Sequence, residues 1–129
     1  VILLDTHTVV WLRARPELLS RVAREAVLHT PLSVSAASLY EIAYKGGRGK
    51  WAEVENLLSL DMVSDLTHDG IDVLPLSGEI MQQAGALDWV HRDPFDRMIV
   101  ATALARGIPV VSKDATLDTL GHPDLRRLW

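Results

Sequence analysis

Residues 98–104, Met-Ile-Val-Ala-Thr-Ala-Leu, are apolar at every position but Thr102. A helix that is apolar almost all round belongs inside a domain, covered on every side. Its start is written in the residues ahead of it. Asp93 is a good N-cap and Pro94 suits the first helical position. Asp96 follows in the first turn, where the helix dipole favours negative charge. Gly107 marks the end. The sequence therefore predicts a carboxylate held at the positive end of a buried helix, and the other acids are read relative to it.

Short apolar runs alternate with helical patterns along the rest of the chain. Residues 1–4 form a continuous apolar run ending in Asp5, the pattern of a short buried strand meeting a polar end. Asp5-Thr6 caps a short helix carrying Val9, Val10, Trp11 and Leu12. A second helix is predicted from Pro16, with Leu18, Leu19, Val22, Ala26 and Val27 on one face. Residues 32–35 read as the second strand. Ser35 or Ser38 caps the next helix, which carries Leu39, Tyr40, Ile42 and Ala43. Lys45-Gly46-Gly47-Arg48-Gly49-Lys50 stops it as a flexible basic loop. Helix resumes near Glu53, with Val54, Leu57, Leu58, Met62, Val63 and Leu66 as its apolar positions.

Asp69-Gly70 is a turn. Residues 71–76 read as a third strand, with Pro75 fitting an edge or terminal position. A helix is predicted over 77–90, followed by the buried helix, a fourth strand at 108–112 and a short helix at 115–120. Residues 125–129 add an edge strand. There is no repeat, linker or low-complexity tract, and the 129 residues suit one domain. Strands alternating with helices predict an α/β fold with a parallel sheet. In such sheets ligands bind outside the carboxyl ends of the strands. Asp5 and Asp114 both follow apolar strands, and would share that rim if those strands are neighbours.

Composition narrows the chemistry. The chain has no Cys, which excludes disulfides, thiolate zinc sites and thiol catalysis. No run of about 18 apolar residues suggests a membrane span, and the N-terminus does not read as a secretory signal. A cytoplasmic protein is expected. The net charge is −4, from 13 Lys+Arg against 17 Asp+Glu. Four acids gathered at one metal site would leave 13 of each sign. The acidity weighs against tight, non-specific duplex binding more than against a nucleic-acid substrate.

Each acid taken alone has a structural explanation. Asp5, Asp93 and Asp114 fit helix caps, and Ser38-x-x-Glu41 matches a capping box. Together they ask for more. Converging carboxylates raise one another's pKa, a cost that a bound divalent cation removes. All-oxygen ligation suits Mg²⁺, with Mn²⁺ as the alternative, rather than zinc. A haloacid-dehalogenase phosphatase would want a second Asp two positions after Asp5, where His7 stands. A receiver-like phospho-acceptor would want paired acids after the first strand, which Thr6-His7 does not supply. A catalytically silent RNA- or protein-binding module would keep the acids as caps.

Three segments occur in a telling order: Leu3-Leu4-Asp5-Thr6-His7, then Ser38-Leu39-Tyr40-Glu41-Ile42-Ala43-Tyr44-Lys45, then His91-Arg92-Asp93-Pro94-Phe95-Asp96-Arg97 with Ser112-Lys113-Asp114. As a set they resemble the PIN-domain ribonucleases, specifically the VapC-type toxins of bacterial toxin–antitoxin pairs. The resemblance runs through nearly the whole chain, so that residues 1–129 would form a single PIN domain. Tyr40 is a departure, since this branch often has Trp there. The resemblance implies a three-layer α/β/α sandwich with a central parallel sheet, and Mg²⁺-dependent endonucleolytic cleavage of RNA, with structured RNA such as tRNA or rRNA as the expected substrate. It assigns the catalytic cluster to Asp5, Glu41, Asp96 and Asp114, with Asp93 as a nearby extra acid. It implies a homodimer inhibited by a cognate VapB-like antitoxin, a 5′-phosphate product and no use of the 2′-OH. A solitary RNA-processing PIN nuclease is the variant reading within the same family.

On this reading Asp5, Asp96 and Asp114 hold the metal that activates a water for in-line attack, with Glu41 on the ion directly or through water. Thr6 and Ser112 are supporting hydroxyls. Lys45, Arg48, Lys50 and Arg97 are the cations expected to hold RNA phosphates, although Arg97 has a rival partner in Asp93. The five histidines contain no metal-like i, i+4 pair, so His7 and His91 are expected to be structural or solvent-facing. Trp11, Trp51, Trp89 and Trp129 sit among apolar residues and are expected in the core or at an interface.

Overall fold

A computed structural model describes residues 1–55 and 61–129. Five strands form one sheet in the order β3-β2-β1-β4-β5. They are β1 (Ile2–Leu4), β2 (Leu32–Ser35), β3 (Ile71–Leu74), β4 (Val110–Val111) and β5 (Arg127–Leu128). All four pairings are parallel, with Leu4 opposite Val34 on one side and Val111 on the other. The chain winds outward from β1 through β2 to β3, then returns to place β4 on the other flank of β1. The strand order reverses there, which opens a crevice at the carboxyl ends of β1 and β4. Asp5 and Asp114 follow those two strands, so the shared rim that the sequence left conditional is present.

Alternation along β1 separates two cores. Ile2 and Leu4 pack with Val9, Val10, Val34, Ile42 and Leu66 on one face, together with Val111. Leu3 and Val110 pack on the other with Trp89, Ile99, Val100, Ala103 and Leu117. Helices α1 (Thr6–Ala14), α2 (Arg21–His29), α3 (Ala36–Gly47), α4 (Ala52–Glu55) and α5 (Met62–His68) contribute to the first face. The second is covered by α7 (Pro94–Arg106) and a 3-10 turn at Ala115–Leu120. Helix α6 (Gly78–Ala86) packs on α7 through Ile80, Ala84 and Ala101. This is the expected α/β/α sandwich. The predicted central helix is α7: Ile99 to Ala103 are all buried, Asp93 caps it, Pro94 opens it, and Gly107 closes it at φ 65° in the left-handed region.

Several boundaries differ from those expected, each for a local reason. Pro16 opens only a 3-10 turn, Pro16–Leu18. Helix α2 starts at Arg21 because Ser20 accepts the Ala23 N–H and out-competes Pro16 as a start signal. The inward face then includes Leu19 and Ala23, and leaves Leu18 and Val22 exposed. Ser35, not Ser38, caps α3, which places Ser38 inside the helix and removes the capping-box explanation for Glu41. Helix α6 stops at Ala86 instead of 90, and 115–120 is 3-10 rather than α. Pro75 follows edge strand β3, as its missing N–H requires. The tail does add an edge strand, held by Arg127, which donates to Asp118 and to the Ser112 carbonyl. The expected apolar positions Leu57 and Leu58 lie outside the described residues.

Candidate active site

Asp5 ends β1 and caps α1. Its Oδ1 accepts the Thr8 N–H at 2.8 Å, and the Thr8 hydroxyl donates to the Val111 carbonyl at 2.9 Å, tying this corner to β4. The Ser112 hydroxyl bonds the Asp5 carboxylate and accepts the Asp114 N–H at 3.0 Å, so one side chain fixes two acids. Thr6 and Ser38 share a buried hydroxyl–hydroxyl bond of 2.9 Å that clamps α1 to α3. That clamp sets the position of Glu41, one turn further along α3. Both supporting hydroxyls, Thr6 and Ser112, thus act on the framework of the acids.

Asp96 sits in the first turn of α7 and its Oδ2 lies 2.6 Å from His91 Nε2. Asp93 caps that helix through the Phe95 N–H at 2.9 Å. Asp114 caps the following 3-10 turn through the Thr116 N–H at 2.9 Å. The capping roles are real, but each uses one N–H against a group with about four lone-pair sites. Asp5, Glu41, Asp93, Asp96 and Asp114 all line one hollow of about 110 Å³, with Thr6, His7 and Lys45. Five carboxylates from four parts of the chain therefore meet at the carboxyl edge of the sheet.

The electrostatics record that crowding. Burial pushes the Asp5 carboxyl above its usual range, against the lowering effect of its Ser112 and Thr8 hydrogen bonds and of His7. Burial also raises Asp96, reinforced by the Asp93 and Asp114 charges and opposed by His91. Asp114 ends below its usual value: burial raises it somewhat, but the Thr116 hydrogen bonds and the nearby His91 and Arg127 charges outweigh that. Glu41 is only 6% exposed and pairs with the Lys45 ammonium, Nζ to Oε2 at 2.5 Å. A cation already stands at the edge of the acid hollow, on this chain's own side chain.

The acids lining the hollow suit a hard divalent ion: carboxylate oxygens and no thiolate. One compact group, His91, Asp93 and Asp96, has ligand atoms within 4.8 Å of one another. It overlaps the predicted set of Asp5, Asp96 and Asp114 only at Asp96, although all three predicted acids border the same hollow.

One expectation about the cations is corrected. Arg97 does not face the hollow and does not pair with Asp93. Its guanidinium donates to five backbone carbonyls, those of Ala84, Gly85, Leu87, Trp89 and His91, at 2.6–3.2 Å. It satisfies the loop that replaces the last expected turn of α6. Arg48 stacks on Tyr44, 3.6 Å from the ring centroid, and bonds the Tyr44 carbonyl. Lys45 and Lys50 do border the site region, sharing a hollow with His7 and Trp51. His91, expected to be structural or solvent-facing, is bonded to Asp96 of the predicted cluster, with its ring 4.9 Å from that of Trp89. Its signal was the spacing His91-x-Asp93-x-x-Asp96, which a search for i, i+4 histidine pairs passes over. Lys113, also unassigned from sequence, borders a hollow with Asp5, His7, Trp11 and Asp114.

A parallel sheet of this order with acids gathered at its switch point defines a class, and the PIN domain family matches residues 2–123. The chain belongs to that family. It is 32% identical, over 99% of its length and 98% of the relative's, to Ribonuclease VapC22 of Mycobacterium tuberculosis. Solved structures share the fold. DNA-bound VapBC from Salmonella typhimurium superposes with a TM-score of 0.69 at 23% identity, over 98% of this chain and 95% of that one. Mycobacterium tuberculosis VapC20, described as a sarcin-ricin loop cleaving toxin, gives 0.66 at 16%, over 98% and 99%. FitAcB from Neisseria gonorrhoeae gives 0.65 at 18%, over 98% and 96%.

Proposed function

We propose that this chain is a Mg²⁺-dependent endoribonuclease toxin of a bacterial toxin–antitoxin pair, cutting phosphodiester bonds by hydrolysis. The observation that carries this reading is the hollow in which Asp5, Glu41, Asp93, Asp96 and Asp114 converge. Burial raises Asp5 and Asp96, and the Asp93 and Asp114 charges push Asp96 further in the same direction, an arrangement that a cation relieves. Structured RNA is the proposed substrate class, with a VapB-like antitoxin as partner, a homodimer as the assembly and the cytoplasm as its place. Among the described residues no helix is long and apolar enough to cross a membrane.

Asp5, Asp96 and Asp114 would hold Mg²⁺, with Mn²⁺ as a substitute, and Glu41 would complete the shell directly or through water. When bound, the ion supplies a lowered water pKa and charge neutralisation at the phosphate. The protein side chains do the rest. Ser112 keeps Asp5 and Asp114 in register. His91 holds the Asp96 carboxylate in one orientation and favours its ionised form. Lys45 neutralises Glu41 in the free protein and is positioned to turn to an incoming phosphate.

The test incubates the purified protein with total RNA and Mg²⁺, beside EDTA and Asp96→Asn controls. Cleavage that both controls abolish supports the assignment. Cleavage that survives in both points to another agent.

A further inference from the structure

Three hollows meet at His7. The acid hollow has His7 on its wall. A second, of about 280 Å³, is bounded by Asp5, His7, Trp11, Lys113 and Asp114. A third, of about 270 Å³, is bounded by His7, Lys45, Lys50 and Trp51. His7 lies one position beyond Thr6 and one helical turn before Trp11, so the two rings share a face of α1 that begins at the catalytic Asp5. The exposed His7 ring is 4.6 Å from Trp51 and 5.5 Å from Trp11, centroid to centroid. Lys113 stands 5.8 Å from the Trp11 ring and Lys45 5.7 Å from the Trp51 ring. Each of the two outer hollows therefore sets a tryptophan and His7 beside lysines.

We infer that His7, flanked by Trp11 and Trp51, is a stacking platform for the unpaired nucleobases on either side of the phosphate to be cut, with Lys113 and Lys50 on the adjoining phosphates. The inference rests on the ribonuclease reading and adds what holds the strand. Base-on-ring stacking beside lysines is how proteins grip single strands without reading sequence. A paired base has its faces covered by its neighbours and does not present them to such a platform. Rings beside cations suit a ribonucleotide chain, which carries one base and one phosphate per unit. Trp51 is buried in the core and Trp11 is partly buried against it, as expected, while His7 between them is exposed, so His7 supplies the open ring of the three. Among the described residues His7 belongs to no group that could ligate a metal.

The experiment uses the full chain carrying Asp96→Asn, with Mg²⁺ present, and a fluorescein-labelled mixed-sequence oligoribonucleotide, single-stranded or annealed to its complement. Fluorescence anisotropy gives the Kd. Adding His7→Ala is expected to weaken single-strand binding roughly 5- to 150-fold, the range for losing one base–aromatic stack. His7→Phe restores most of the affinity, and quenching of tryptophan fluorescence accompanies binding. The duplex binds more weakly and does not respond to His7. Single-strand affinity unchanged by His7→Ala overturns the inference, as does no single-strand binding, and would leave these hollows to a protein partner. If the wild-type chain cleaves RNA while His7→Ala leaves binding unchanged, the platform fails and the nuclease stands. If no RNA is cleaved but His7-dependent binding persists, the reverse holds.

Discussion

His91 Nε2 lies 2.6 Å from Asp96 Oδ2, joining the loop before α7 to the acid in its first turn. Arg97, the next residue, pulls the other way and gathers the carbonyls of that loop, His91's among them. The pair fixes the orientation of the one acid that both the predicted metal set and the compact His91–Asp93–Asp96 group contain.

His91 favours the ionised Asp96, so removing it lets burial and the neighbouring acids raise the Asp96 pKa further. A carboxylate must be ionised to hold a cation. His91→Ala is therefore expected to move the acidic limb of the kcat/KM–pH profile to higher pH at fixed Mg²⁺. A limb that stays in place would remove His91 from the site's electrostatics.

Because Asp96 has a folded-state pKa above its unfolded one, the folded chain binds more protons between the two values. Stability from this group is greatest at low pH and declines as pH rises through the raised value. Asp96→Asn should therefore raise the neutral-pH melting temperature in EDTA by a few degrees, the size of shift produced by about 1 kcal/mol in a domain of this length. Saturating Mg²⁺ should narrow or reverse the gap, since only the wild type gains the ion. Calorimetry with and without metal measures both.

Arg97→Lys replaces a planar five-donor fork with a point charge of three donors. It strands carbonyls of the 84–91 segment, each worth about 1–3 kcal/mol if left unsatisfied. Denaturant unfolding should show a loss of about 2–5 kcal/mol. In Arg97→Gln, which removes the charge, the salt slope of RNA binding should not change, because this guanidinium is not on a phosphate. A shallower slope with stability intact would return Arg97 to the RNA.

Asp5→Asn keeps a side-chain oxygen for the Thr8 N–H, and Asn caps helices about as well as Asp. The variant should fold, with its circular dichroism unchanged, and lose RNA cleavage. A variant that folds and still cleaves RNA would show that the Asp5 charge is not needed for the reaction.

Asp5, Asp93, Asp96 and Asp114 were legible because strand ends and helix starts leave local signatures: an apolar run ending in an acid, an N-cap, a proline. The buried α7 was legible because nothing else accommodates an all-round apolar helix. What the sequence withheld was long-range. That β4 lies beside β1 is set by chain return, and only that adjacency lets Ser112 hold Asp5. Three of the five carbonyls on Arg97 come from an irregular loop with no periodicity to read, and the other two from the last turn of α6. Ser20 and Pro16 are competing start signals for one helix, and four residues separate two plausible answers. His91 leaves no metal-site signature in the sequence, because its partner is an acid five positions on rather than a second histidine.

The central claim is that acids scattered along the chain converge to grip one hard cation. A crystal soaked in Mn²⁺ and measured at a wavelength sensitive to manganese tests it most directly. An anomalous peak in the hollow between Asp5, Asp96 and Asp114, absent from an Asp96→Asn crystal, is the predicted result. A hollow without a peak in the wild-type crystal, or a peak that Asp96→Asn leaves untouched, would contradict it.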